Sequence, residues 1–407
     1  MSTAVMLFTR DLRVHDNPAL QAACTSAARV VPLFVFDPSV PTSPGRQRFL
    51  IESLEDLRTS LRQRGGDLVV RHGDPVSETI AAARSAGASS IMLSADASAY
   101  AARRQRRLAE AAAAHRIAVT PHDGVTVVPP GVLRPATGSS QYRVFTPYWR
   151  AWCDYPFRAQ LPAPRRVPIP DDIPRGAWPA VPGRRGDGFP GGESTARRRL
   201  DAWVGEAFRY TEARDMLSAD ATSRLSPYLH FGCVSPLSVL AATGAAPEAF
   251  ARQLCWRDFY HQTLAAFPAL GSESYRPHVR EDWRDDADAL AAWQEGRTGV
   301  PIVDAGMRQL AAEGFMHNRA RLITASFLTS RLRIDWRRGA HWYARSLLDA
   351  DVANKLRQLA VGGRHRYRHQ AVPALQPAPA GAAVRPSWRL RPALGSRTGR
   401  HPRPRGP

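Results

Sequence analysis

The chain has 407 residues, 44% of them apolar, and a formal net charge of +20. That length accommodates two domains, each with its own core, and ordinary apolar content with no window of membrane-span length excludes an integral helical membrane protein. The charge is uneven: residues 356–407 hold eleven arginines and no Asp or Glu, so the rest carries a moderate excess, compatible with a polyanionic partner without requiring one.

Val5–Phe8, Val30–Phe36, Leu68–Arg71, Ser90–Leu93 and Ile117–Thr120 are short apolar runs suited to buried parallel strands. Between them lie amphipathic stretches such as Phe49–Arg64 and Tyr100–His115. This alternation predicts a doubly wound α/β domain over residues 1–125. No G-x-G-x-x-G turn is present, so a dinucleotide fingerprint is absent. Residues 126–195 are dense in Pro, Gly and Arg and read as a connection over the surface, except for an aromatic strap, Tyr142–Phe157, expected to pack between domains. From there to Asn354 the patterns are helical, which predicts an all-α second domain over 196–354.

The opening residues run straight into a strand, so no cleavable leader is expected. Cys24, Cys153, Cys233 and Cys255 show neither C-x-x-C nor zinc spacing. They read as free thiols of a reducing cytoplasm, with no metal site.

Five segments carry chemistry. F-T-R-D-L-R-V-H-D-N-P-A-L follows the first strand. Tyr210 and Arg214 precede T-S-R-L-S-P-Y-L-H-F-G (Thr222–Gly232), whose hydroxyls at Thr222, Ser223 and Ser226 suit an anion at the start of a helix. Taken alone, such a run is more often a plain helix cap. F-A-R-Q-L-C-W-R-D-F-Y spans Phe250–Tyr260, and M-H-N-R-A-R spans Met316–Arg321, with Asn318 and Arg321 on one helical face. L-L-D-A-D-V-A-N ends at Asn354.

Together these segments resemble the DNA photolyase/cryptochrome family, most of all the class I cyclobutane pyrimidine dimer photolyases. The resemblance implies FAD held by Tyr210, Thr222, Ser223, Arg224, Leu225, Ser226, Phe250, Arg257, Arg321, Asp349 and Asp351, with Arg321 paired to Asp349. It implies that Trp256 packs against a flipped-out pyrimidine dimer, that Asn318 sits at the site, and that Arg214 and Arg319 reach DNA phosphates. Gln253 stands where many relatives have Glu; it still donates a hydrogen bond but supplies no proton, so a reduced yield is expected. Trp336 and Trp283 match two members of a tryptophan relay that feeds electrons to the flavin, although a lone Trp is more often core. An antenna pigment, deazaflavin ahead of methenyltetrahydrofolate, is expected in the crevice of the α/β domain. The implied activity is light-driven repair of pyrimidine dimers in DNA by a cytoplasmic monomer, without a membrane partner. A cryptochrome-like photosensor and an inactive remnant are the alternatives.

After Asn354 the resemblance stops. Family members continue near S-G-N-W-Q-W-V-A-G-T-G-T-D-T-x-P, whereas here Lys355, the sole lysine, opens a basic tail. In the adjacent reading frame Leu356–Ala360 permits Ser-Gly-Asn-Trp. Ala360–Pro373 likewise permits Gln-Trp-Val-Ala-Gly-Thr-Gly-Thr-Asp-Thr-Arg-Pro. Residues 355–407 are therefore expected to be out-of-frame translation after one inserted base, and disordered, since they lack an amphipathic period. The relay's third Trp and an Asn beside the flavin would be lost with the frame.

Overall fold

The computed structural model describes residues 2–136, 138–183, 189–244, 248–268 and 282–351. The expectations for Asn354, Lys355 and the tail to Pro407 fall outside the described residues.

Five parallel strands form one sheet, β1 (Thr3–Leu7), β2 (Arg29–Phe36), β3 (Val69–His72), β4 (Ser90–Ser94) and β5 (Ala118–His122), in the order β3-β2-β1-β4-β5. In register, Val5 lies opposite both Val31 and Ile91. Every residue of β1 is buried. Helices cover both faces, so a central strand has no solvent side and reads as an unbroken apolar run.

Four helices alternate with the strands: α1 (Pro18–Ser26), α2 (Pro44–Arg62), α3 (Pro75–Ser85) and α4 (Ala99–Ala113). Each starts at a side-chain cap, Asn17, Ser43, Asp74 or Ser98, accepting from the backbone N–H three residues on. Three of the caps are followed by Pro, which has no N–H to orphan at the first helical position. The pair Ser43–Pro44 therefore starts α2 five residues ahead of the apolar periodicity at Phe49.

The segment after β5 is only partly the surface connection its composition suggests. Val167 and Ile173 are buried, the Pro168 and Arg175 carbonyls accept from Val30 and Val70 N–H at 2.8 Å, and Val167 N–H donates to Arg64 O. Proline removes donors but not acceptors, so a Pro-rich strip can still satisfy the backbone of a neighbouring strand. The aromatic strap is helical, α5 (Phe145–Asp154), and the Trp152 indole N–H donates to Asp258 at 2.9 Å.

The helical part comprises α6 (Glu193–Glu206), α7 (Tyr210–Ala213), α8 (Ser226–Phe231), α9 (Pro236–Thr243), α10 (Glu248–Ala266), α11 (Ala287–Glu295), α12 (Pro301–Glu313), α13 (Asn318–Ser326) and α14 (Trp336–Ser346). One apolar cluster runs from Met6 on the sheet through Phe49 and Tyr228 to Leu254, so the two parts share a core. Gly232 fixes their closest approach. Its φ is +70°, and a Cβ there would stand 1.9 Å from the Arg10 carbonyl, so only glycine lets the end of α8 lie against the loop after β1.

Candidate functional site

α8, α10, the turn before α13 and the loop after α14 enclose one hollow. Its lining includes Tyr210, Thr222, Ser223, Arg224, Leu225, Ser226, Phe250, Gln253, Trp256, Arg257, Asn318, Arg321, Asp349 and Asp351. Residues far apart in the sequence thus converge on one hollow. α10 contributes Phe250, Gln253, Trp256 and Arg257 from one side of the helix, whose steps of three and four residues stack them along the wall.

Arg321 and Asp349 form the buried end. Arg321 donates through Nη2 to Asp349 Oδ2 at 2.9 Å and through Nε to the Met316 carbonyl at 2.7 Å. Both side chains are under a tenth exposed, so each offsets a desolvation that would otherwise be expensive. The second oxygen of Asp349 is buried with no partner among the described residues. Phe315 lies between two guanidiniums, with Arg321 5.6 Å and Arg224 5.1 Å from its ring centre. Arg224 is also held by Glu313 at 2.9 Å and by Asp220 at 2.5 Å.

A second charged group closes the hollow from the α/β side. Arg10, in the loop after β1, donates to Asp351, to Asp96 at 3.3 Å and to the His230 carbonyl at 3.1 Å. His261 on α10 approaches the same Asp351 carboxylate at 3.8 Å. Burial opposes ionisation of Asp351, yet Arg10, His261 and His230 hold its carboxyl well below the usual range. Burial, with the nearby Arg257 cation, pushes His261 down to about 4. It also depresses His230. The polar edge is thus a carboxylate held chiefly by the permanent Arg10 cation, with His261, His230 and Arg257 around it.

Trp256 stacks on Phe145 at 3.5 Å, with ring planes 5° apart, and on Tyr260 at 5.4 Å. Arg257 is turned partly away from the hollow, donating to the Val125 and Leu229 carbonyls. Arg214 and Arg319 stand at the surface, about two-fifths exposed, but both face Asp215, Arg319 at 2.6 Å. Trp336 and Trp283 do not line the hollow; they pack in a separate cluster with Trp293 and Tyr343. The third Trp expected of that relay, a few residues after Asn354, is absent from the sequence. Arg10, His230, His261, Tyr260 and Phe315 were not singled out from the sequence. Arg10 and His230 were inside quoted motifs, whereas nothing local distinguishes His261 from any helical His.

Comparison with known proteins places this geometry. Residues 4–167 match the family model for DNA photolyase, and residues 250–382 match that for the FAD binding domain of DNA photolyase. A deoxyribodipyrimidine photo-lyase of Streptomyces griseus is 45% identical, over 87% of this chain and 80% of its own length. The crystal structure of a bacterial class III photolyase from Agrobacterium tumefaciens superposes with a TM-score of 0.84 at 32% identity, covering 89% of this chain and 80% of that one. An archaeal photolyase from Sulfolobus tokodaii, solved with two FAD molecules, superposes at 0.79 with 26% identity, over 91% and 85% of the two chains.

Proposed function

The chain belongs to the DNA photolyase family, and from that premise we propose that it is a light-driven lyase that splits cyclobutane pyrimidine dimers in DNA. The observation that carries this is the meeting of Arg224, Arg321 and Asp349 with Trp256 in one hollow. The residues present suit FAD: hydroxyls and a guanidinium at Thr222–Ser226 for a pyrophosphate, aromatic walls at Tyr210 and Phe250, and an unpartnered buried acceptor on Asp349 for a ring N–H. Bound there in its reduced form, FAD would supply the electron that opens the cyclobutane ring under light.

The chain's own residues position and exclude. Arg321 keeps a positive charge beside the ring site, and Asp349 holds Arg321 in place. Trp256 offers a flat apolar face on which the extruded pyrimidine dimer stacks. Gln253 and Asn318 donate hydrogen bonds to pyrimidine carbonyls. Arg214 and Arg319 exchange Asp215 for DNA phosphates, so binding weakens as salt rises. The four free thiols support a reducing, cytoplasmic setting, and we read the chain as acting as a monomer. Among the described residues no helix is long and apolar enough to cross a membrane.

The β1/β4 switch point supports an antenna site in the crevice at the strand ends, with deazaflavin ahead of methenyltetrahydrofolate. Residues 355–407 are read as out-of-frame translation. Purified protein mixed with dimer-containing DNA tests the proposal: dimers should disappear in blue light and persist in the dark. Loss equal in light and dark, from a yellow protein, would instead support a photosensor.

A further inference from the structure

Arg46 stands in the first turn of α2, on the α/β side, yet its side chain reaches the end of the helical part. Its Nη1 donates to the Ala344 carbonyl at 3.1 Å. That carbonyl is left over where α14 ends. A continuing helix would bring it the Leu348 N–H, which donates instead to the Gly314 carbonyl at 2.8 Å. A guanidinium therefore caps the C-terminus of α14, the end at which the helix dipole favours a cation. One residue earlier, Gly45 faces Leu348: a Cβ there would meet Leu348 Cδ2 at 3.6 Å, an ordinary contact. Leu348 is buried and directly precedes Asp349. The first turn of α2 thus holds the turn that carries Asp349 and Asp351 at two points, the Ala344 carbonyl and Leu348. Electrostatics put the same guanidinium behind Asp349. Burial and the Arg10 cation push Arg46 below the ordinary arginine range, and the Asp349 carboxylate opposes them. The Nε of Arg46 is buried without a partner among the described residues. Arg321 pairs with Asp349 directly at 2.9 Å, so Arg46 adds a second positive charge on the far side of the same carboxylate.

We propose that Arg46 is a positioning residue of the flavin site: from the α/β side it fixes the turn that aims Asp349 at Arg321, and its charge biases the hollow toward reduced, anionic FAD over the oxidised form. This rests on the hollow holding FAD. Arg46 does not line the hollow and touches no ligand there; it acts through Asp349. A carboxylate next to the ring site disfavours an anionic ring, and each cation that offsets that carboxylate relieves the penalty. The isoalloxazine of oxidised FAD carries no net charge, so it feels the same cations far less. Loss of the Arg46 charge therefore weakens reduced FAD more than oxidised FAD, whereas loss of a merely structural contact weakens both alike. Arginine keeps its proton throughout the working pH range, so the bias does not titrate away.

The test titrates the full chain with oxidised FAD and, without oxygen and in the dark, with dithionite-reduced FAD, in wild type, R46Q, R46K and R106Q. Arg106 lies on the exposed face of α4, and its variant controls for the loss of one net charge. Each variant is first checked for folding by thermal melting. The ratio of the two affinities is the readout. R46Q should lose severalfold of the wild-type preference for reduced FAD, R46K should keep most of it, and R106Q should match wild type. An R46Q protein whose preference is unchanged, including one that binds both forms equally more weakly, overturns the proposal and leaves the repair reading standing. A fall in R46K as large as that in R46Q also overturns it, because the charge is still there. A wild type that binds neither form overturns both the proposal and the repair reading. If R46Q fails to fold, R46M decides by the same criteria.

Discussion

Arg10 and Asp351 form an ion pair between the loop after β1 and the last described residue of the helical part, 341 positions apart. The Asp351 side chain is 4% exposed, and Arg10 is its nearest permanent cation. One guanidinium thus joins the switch-point edge of the sheet, through Asp96, to the floor of the hollow. Arg10→Gln leaves a buried carboxylate short of its counter-charge and should cost about 3 kcal/mol in urea unfolding. Adding Asp351→Asn removes the stranded charge, so the double variant should be more stable than Arg10→Gln alone. Equal stabilities would show that the pair is not coupled.

Two buried groups give opposite pH slopes. His261 falls to about 4 in the fold against 6.5 in an unfolded chain. The unfolded state therefore binds the proton first, and stability is lost as pH drops from 6.5 toward 4. Asp258 rises to about 6 against 3.8, so its contribution is lost as pH rises from 3.8 to 6. The two oppose each other between about 4 and 6. His261→Gln removes the first slope only. Relative to wild type it should gain up to about 3 kcal/mol on going from pH 6.5 to 4. Denaturant midpoints at pH 4.5 and 6.5 measure it; an unchanged difference would place the His261 pKa near its free value.

Gln253 lines the hollow beside Trp256, with its amide donating back to the Ala249 carbonyl at 3.4 Å. That long bond is weak, so the side chain is free to reorient toward a bound pyrimidine. A carboxylic acid at the same point can both donate and share a proton, which an amide cannot. Gln253→Glu should raise dimers repaired per absorbed photon severalfold while leaving DNA affinity little changed. Gln253→Ala should lower the same yield. If all three proteins repair equally, position 253 does not touch the lesion.

The α/β half was legible because its central strands are apolar on both faces and its helices carry explicit caps, although the edge strand β5, expected to be buried, is mostly exposed; Ser43–Pro44 and Asp74–Pro75 mark starts that periodicity alone misses. The hollow was legible where residues sit in motifs of fixed spacing, as with Thr222–Ser226 and the three-residue step from Asn318 to Arg321. What stayed hidden depends on contacts between distant segments. Nothing near His261 indicates that Asp351 lies across from it, and composition around Pro168 hides a carbonyl that serves β2. Trp283 and Trp336, expected as the relay members farther from the flavin, pack with Trp293 and Tyr343 in a cluster apart from the hollow's lining.

The last prediction concerns Asp349. Its Oδ1 is buried without a partner among the described residues, although Oδ2 holds Arg321 at 2.9 Å. An unsatisfied buried carboxylate oxygen costs about 1–3 kcal/mol, and a ligand or neighbouring N–H that reaches it recovers that amount. Five residues beyond Asp349 the motif text departs from the family's after Asn354, although the family-model match runs on to residue 382; on our out-of-frame reading the adjacent frame permits the Asn, Trp and Gly-rich text that would fold over the hollow. Removing one base at codon 355 should therefore restore that text and tighten FAD by at least about tenfold, equivalent to roughly 1.4 kcal/mol. Flavin fluorescence titration of the two proteins measures the difference. Equal affinities would mean that residues 355–407 contribute as much to the pocket as the restored segment, and the reading of them as out-of-frame translation would lose its physical consequence. A nucleotide sequence in which no single-base change restores the text would remove the reading altogether.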